Sequence, residues 1–193
     1  ARADNDFASF EPHLTHIFEL RRQQAELFQP YEHPYDPLLN EYEPGMKTSD
    51  VRAIFAALRP RQVELLRAIA ESEQIDNSFI KQHYPFDEQR KLGTFIAGRF
   101  GYDWERGRLD LAAHPFTTSF GAGDVRITTR FLDRDGMSAL YSTMHETGHA
   151  LYDQGLSPKY YETSLGQPAS YAIHESQSRL WENLVGRSRE FSR

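Results

Sequence analysis

The residues of this chain best equipped for chemistry are His145-Glu146-Thr147-Gly148-His149, an HExxH pattern. On a helix, positions four apart share a face, so His145 and His149 can offer two imidazoles to one metal ion. Glu146 lies beside them, where a carboxylate can take a proton from water activated by that ion. Glu175 follows His149 by 26 residues, on what reads as the next helix, and is the candidate third ligand. Two His and one Glu, with a fourth position open to water, form the donor set of a catalytic rather than a structural zinc site. The chemistry is metal-assisted hydrolysis. The ion polarises a carbonyl, and Glu146 accepts the proton of the attacking water and passes it to the leaving amine.

A chain of this composition contains about 0.03 HExxH matches by chance. The bland alternative is an exposed helix with two solvated histidines. Leu140 and Met144 before the first His, and Ala150, Leu151 and Tyr152 after the second, instead predict a half-apolar, buried helix. Gly148 costs that helix about 1 kcal/mol relative to Ala, so it is expected to serve close packing or access.

The elements that must position these groups follow from period and punctuation. Leu14, Ile17, Phe18, Leu20, Ala25 and Leu27 predict an amphipathic helix over 12–28 with Pro12 in its first turn. Residues 30–47 read as irregular, and the acidic run at Glu41–Glu43 as a solvated face. Thr48 or Ser49 caps a helix through about Leu58, Pro60 breaks or kinks it, and a further helix runs to about Ser72. A helix from Pro85 to Phe100 stops at Gly101. Val125, Ile127, Thr129 and Phe131 then alternate with polar residues at strand spacing, and 108–111 and 116–120 supply two more short strands. The expectation is a small antiparallel sheet just before the HExxH helix, which runs to Gly155. Residues 156–168 form a loop, and Ser170 caps the helix that carries Glu175. Trp181 and Leu184 sit at core spacing on that helix. The reading is mainly α, one partial catalytic domain over 1–193, divided into a helical segment (1–104), the sheet (105–134) and the metal-site helices (135–193).

Composition narrows the function. Net charge is −6, with 22 basic against 28 acidic residues, and no basic stripe marks a nucleic-acid partner. No apolar run reaches the ~20 residues of a membrane span. The absence of Cys excludes disulfides and thiolate ligands, and fits a cytoplasmic protein. The sequence opens at Ala1 without Met and stops at Arg193 within an apparent helix, so it reads as cut at both ends.

Four motifs in order carry a resemblance: His114-Pro115-Phe116, Asp124-Val125-Arg126-Ile127-Thr128, His145–His149, and His174-Glu175-Ser176-Gln177. They resemble the HPF, DxRxT, HExxH and HES(Q) signatures of carboxypeptidase Taq-type (M32) metallocarboxypeptidases. The resemblance extends over essentially the whole chain. It implies a helical, zincin-like metallopeptidase similar to the angiotensin-converting enzyme and neurolysin group. It also implies broad-specificity removal of single C-terminal residues from peptides, Zn2+ or Co2+ as cofactor, and a cytoplasmic homodimer. Under it, His145, His149 and Glu175 are metal ligands and Glu146 is the general base. The chain covers less than half of a typical member and lacks counterparts of the downstream GxxQDxHW and IRxxAD signatures, which marks it as a fragment carrying the metal site.

The other motif residues have two readings each. Asp124 and Arg126 either anchor substrate or pair with each other, and Thr128 belongs to the same strand. His114, held extended by Pro115, is either structural or catalytic. His174 and Gln177 flank the third ligand and are candidates to orient the ligands from behind. Asp153, four residues after His149, either accepts that imidazole's free N–H or sits at the surface. Two alternatives to the carboxypeptidase reading stay open: an endopeptidase or dipeptidase of the same ligand class, and a non-catalytic metal-binding fragment.

Overall fold

The HExxH segment lies in the best-buried helix of the chain. A computed structural model describes residues 1–193, which divide into two units, Ala1–Gln74 and Ile75–Arg193. The first unit holds helices α1 (Phe7–Glu26), α2 (Asp36–Asn40) and α3 (Thr48–Glu71). Asp6 caps α1 by accepting from the Ser9 N–H at 3.1 Å. The helix starts five residues before Pro12, so this proline lies inside the helix rather than in its first turn; its fixed φ suits the helix, while its missing N–H forgoes one main-chain bond. Pro60 likewise lies inside a continuous α3, which the structure does not break into two helices as its sequence suggests. The apolar stripes are real but exposed. Of α1 only Ala25 is buried, and Leu27 beyond its end is open to solvent, while α3 buries no residue.

The second unit holds α4 (Phe86–Phe100), strands β1 (Leu109–Leu111), β2 (Thr117–Ser119) and β3 (Val125–Thr129), and helices α5 (Gly136–Gln154) and α6 (Tyr171–Arg179). A π-helical turn over Leu180–Val185 continues α6. Gly101 ends α4 in the left-handed conformation, φ +104°, which a side chain would strain. Asp135 caps α5 through the Ser138 N–H, and Ser170 caps α6 through the Ile173 N–H. Two single 3-10 turns, Pro158–Tyr160 and Ser164–Gly166, occupy the expected loop.

The sheet order is β1-β3-β2. The expected antiparallel sheet is corrected to a mixed one: β2 pairs antiparallel with β3, but β1 pairs parallel with it, Leu109 opposite Ile127. Alternation along a strand reports which face is buried and is silent on its neighbours. Here residues 112–116 carry the chain from one side of β3 to the other, leaving β3 central and nearly fully buried. The core joins Ala97, Tyr102, Leu109, Val125, Ile127 and Ala150, with Trp104 and Leu151 packed against it. The Tyr102 hydroxyl donates to the Val125 carbonyl at 2.6 Å and fastens the end of α4 to β3; burial pushes its pKa up to about 12. Trp181 stacks on Phe100 at 4.3 Å, but Leu184 is 72% exposed, against the core placement its spacing suggests. No helix is long and apolar enough to cross a membrane.

Candidate metal centre

Packing of α5 against β2, β3 and α6 brings the sequence-separated groups together. The helical repeat turns His145 and His149 to one face, with ring centroids 4.9 Å apart. Glu175 reaches them from α6, its Oε2 lying 3.5 Å from His145 Nε2 and 3.3 Å from His149 Nε2. The three ligand atoms lie within 4.8 Å of one another. Bonds of 2.0–2.1 Å at a tetrahedral angle place donor atoms about 3.3 Å apart, so both measured edges fit a zinc-sized ion.

The close approach of α6 depends on Gly148. A Cβ there would stand 2.6 Å from both the Gln177 carbonyl oxygen and Ser178 Cα. The role of Gly148 in close packing is thus explicit, and main chain stands on the far side.

The back of the site is charged and closely hydrogen-bonded. His145 Nδ1 meets Glu182 Oε2 at 2.9 Å, and Glu182 also accepts from Arg179 (3.0 Å) and Arg187 (2.9 Å). An ionised carboxylate only accepts, so Nδ1 carries the proton of His145 and its Nε2 presents a bare lone pair toward Glu175. In that tautomer the Nε2 lone pair and the Glu175 carboxylate oxygen face one space as two donors to a cation, and the donor set therefore fits a metal ion. Partial burial raises the Glu175 pKa, but the Ser178 hydroxyl, His145 and Arg179 outweigh it and hold the carboxyl below its ordinary value. Glu182 follows the same pattern, with Arg187, His145 and Arg179 overcoming its burial. Burial, with His174 and His145 adding like-charge repulsion, takes the His149 pKa down to about 4, so this imidazole is neutral at neutral pH.

Glu146 is buried, and burial raises its pKa; the Thr117 hydroxyl opposes that shift by donating to Oε2 at 2.7 Å. Thr117 belongs to β2, which puts the edge strand of the sheet directly against the HExxH helix.

The remaining sequence candidates are scattered. Asp124 and Arg126 form a two-pronged ion pair with each other at 2.8 and 2.7 Å. The Thr128 hydroxyl accepts from the Phe116 N–H (2.9 Å), an internal sheet contact. His114 is exposed but near enough to act electrostatically on Glu146. Gln177 meets the site through its main chain, at Gly148. His174 stands behind His149, its Nδ1 2.5 Å from His149 Nδ1, and Asp153 contacts His174 Nε2 (2.8 Å) rather than His149. Sequence reasoning does not reach Glu182, Thr117 or Ser178. The only signal for Glu182 is its position two helical turns beyond Glu175; Thr117 has none.

Two imidazoles and a carboxylate at metal-ligand spacing, with a buried carboxylate beside them on a mainly helical scaffold, define a metalloprotein of the HExxH class. The chain belongs to the carboxypeptidase Taq (M32) metallopeptidase family, whose description it matches over residues 1–193. It is 41% identical to a thermostable carboxypeptidase 1 of Thermus thermophilus, over 99% of this chain and 39% of that protein. It is 38% identical to carboxypeptidase 1 of Bacillus subtilis, over 99% of this chain and 38% of that one. The solved M32 carboxypeptidase of Deinococcus radiodurans superposes with a TM-score of 0.87 at 44% identity, over 98% of this chain and 38% of that one. The chain thus spans less than two-fifths of the length of these relatives. Family membership implies a divalent metal ion.

Proposed function

We propose that the protein to which these residues belong is a zinc-dependent metallocarboxypeptidase that removes single residues from peptide C-termini, with Co2+ an alternative ion. The names of its relatives support peptide hydrolysis, and the convergence of His145, His149 and Glu175 at tetrahedral spacing carries the assignment of ligands. A divalent ion held there supplies Lewis acidity, polarising the scissile carbonyl and making water acidic near neutral pH.

The chain's own groups supply the rest. Glu146 is the general base: burial keeps its proton affinity high enough to accept water's proton, and the Thr117 hydroxyl fixes the carboxylate that receives it. Glu146 then delivers that proton to the departing amine. The free edge of β2 beside Glu146 offers main-chain groups to an extended peptide by strand addition. The helical scaffold, with HExxH on one helix and the third ligand on the next, supports the likeness to zincins of the angiotensin-converting enzyme and neurolysin group. We read residues 1–193 as part of one catalytic domain, of a cytoplasmic homodimeric enzyme.

Zinc content of the wild-type chain and of Glu175→Gln tests the ligand assignment: close to one ion per chain, lost in the variant. The Glu146→Gln variant of the full-length protein should keep its zinc and lose release of an amino acid from a blocked dipeptide. Hydrolysis at internal bonds instead would favour an endopeptidase. Zinc bound without hydrolysis by the full-length wild type would favour a metal-binding role.

A further inference from the structure

The two histidine ligands are anchored from behind in different ways. His145 sits directly on Glu182, whose side chain is 12% exposed. His149 has no carboxylate at its Nδ1 but another imidazole, that of His174, and beyond it Asp153, whose side chain is 8% exposed. His174 is held in place by more than these two contacts. Its ring also meets the Tyr152 ring edge-on at 5.2 Å.

Proton counting fixes the direction of this chain. A neutral imidazole has one N–H and one lone pair, and an ionised carboxylate only accepts. Asp153 Oδ1 lies 2.8 Å from His174 Nε2, so that nitrogen carries the proton of His174. His174 Nδ1 is then a lone pair, and the 2.5 Å contact to His149 requires His149 Nδ1 to donate. His149 Nε2 is left bare, 3.3 Å from Glu175 Oε2. The reverse polarity would put a proton on His149 Nε2, in the space a metal ion would occupy.

We infer that His174 is a positioning residue: it links Asp153 to His149 in a one-way hydrogen-bond chain that holds the second metal ligand in its metal-binding tautomer. The inference rests on His149 being a ligand, as proposed above. The linkage has a consequence that independent contacts would lack. Asp153 acts on the metal only through His174, whereas Glu182 acts through the other ligand.

Disturbing a group that orients a metal ligand typically lowers metal affinity about 10–100-fold. Co2+ titration followed by its visible bands, with Zn2+ competition, should show losses in that range for His174→Ala and, toward its lower end, for Asp153→Asn, whose amide oxygen can still accept. The double variant should bind no more weakly than His174→Ala alone. Combining His174→Ala with Glu182→Gln should multiply the two losses. Multiplying losses for the Asp153 and His174 changes would overturn the serial arrangement.

A second measurement needs neither metal nor variant. Nitrogen–proton correlation spectra of the metal-free chain at neutral pH should show His149 protonated at Nδ1 and His174 at Nε2. His149 protonated at Nε2 would overturn the inference whatever the titrations give. Failure of the wild-type chain to bind Co2+ or Zn2+, with the tautomers as stated, would instead count against the ligand assignment and leave the hydrogen-bond chain standing.

Discussion

Replacing Gly148 with Ala sets two opposing effects against each other, and the structure says which prevails. Helix propensity alone favours Ala over Gly by about 1 kcal/mol in a helix interior. The added Cβ, however, would lie 2.6 Å from the Gln177 carbonyl oxygen and from Ser178 Cα, where ordinary contact begins near 3.4 Å. Both obstacles are main chain, so no rotamer change relieves them, and α6 must retreat from α5 by about 0.8 Å. Overpacking of this kind costs about 1–3 kcal/mol, and rigid obstacles place the cost toward the upper end. The net expectation is a loss of about 1–2 kcal/mol in stability. The effect on the site is larger. Glu175 rides on α6 while His145 and His149 ride on α5, and metal sites tolerate ligand displacements of only about 0.2 Å. Zinc affinity should therefore fall at least about 10–100-fold. Urea denaturation of the metal-free chain and zinc titration with a competing chelator give the two numbers. A Gly148→Ala chain that is more stable than wild type and binds zinc equally well would refute the close-packing argument.

Three further outcomes follow from the site and its support. The His149 pKa falls from 6.5 to about 4 on folding, so the unfolded chain takes up a proton between these values that the folded chain refuses. This part of the stability is complete above about pH 6.5 and is lost as pH falls toward 4, about 3 kcal/mol in all. Urea midpoints of the metal-free chain at pH 7 and pH 4.5 measure it, and equal midpoints would contradict it. In Thr117→Val the group opposing the burial of Glu146 is gone, so the Glu146 pKa rises further and the acid limb of kcat/KM in the zinc-loaded full-length enzyme moves to higher pH. An unmoved limb with a full rate would remove Glu146 as the base. Trp181→Ala loses the stack on Phe100 and should cost about 2 kcal/mol, less than a fully buried Trp because the residue is only partly buried; a change within error would show that the stack does not hold the end of α6.

The candidate ligands were legible in the sequence because HExxH is a local device. The helical repeat alone puts His145 and His149 on one face, and the capping residue Ser170 marks where the helix of Glu175 starts. The amphipathic periods of α1 and α3 likewise identify helices, although their apolar faces lie open. Propensity and period act within one element, so they do not say what an element packs against. For the same reason Pro12 and Pro60 misled the reading. A proline's local cost is visible in sequence, while the rest of the helix that absorbs it is not.

Tertiary structure decided whatever depends on two elements meeting. The parallel pairing of β1 with β3, the seating of Thr117 under Glu146, and the anchoring of His145 by Glu182 each join residues with no fixed sequence relation. Asp153 shows the difference most clearly. Its place one turn after His149 suggests a direct bond, but α6 inserts His174 between them. Side-chain chemistry and helical spacing are local, so the atoms able to hold a metal can be picked out before the fold is known. Which nitrogen of each imidazole faces the candidate metal site depends on the fold, because it is the partner packed behind each ring that takes up the other nitrogen's proton.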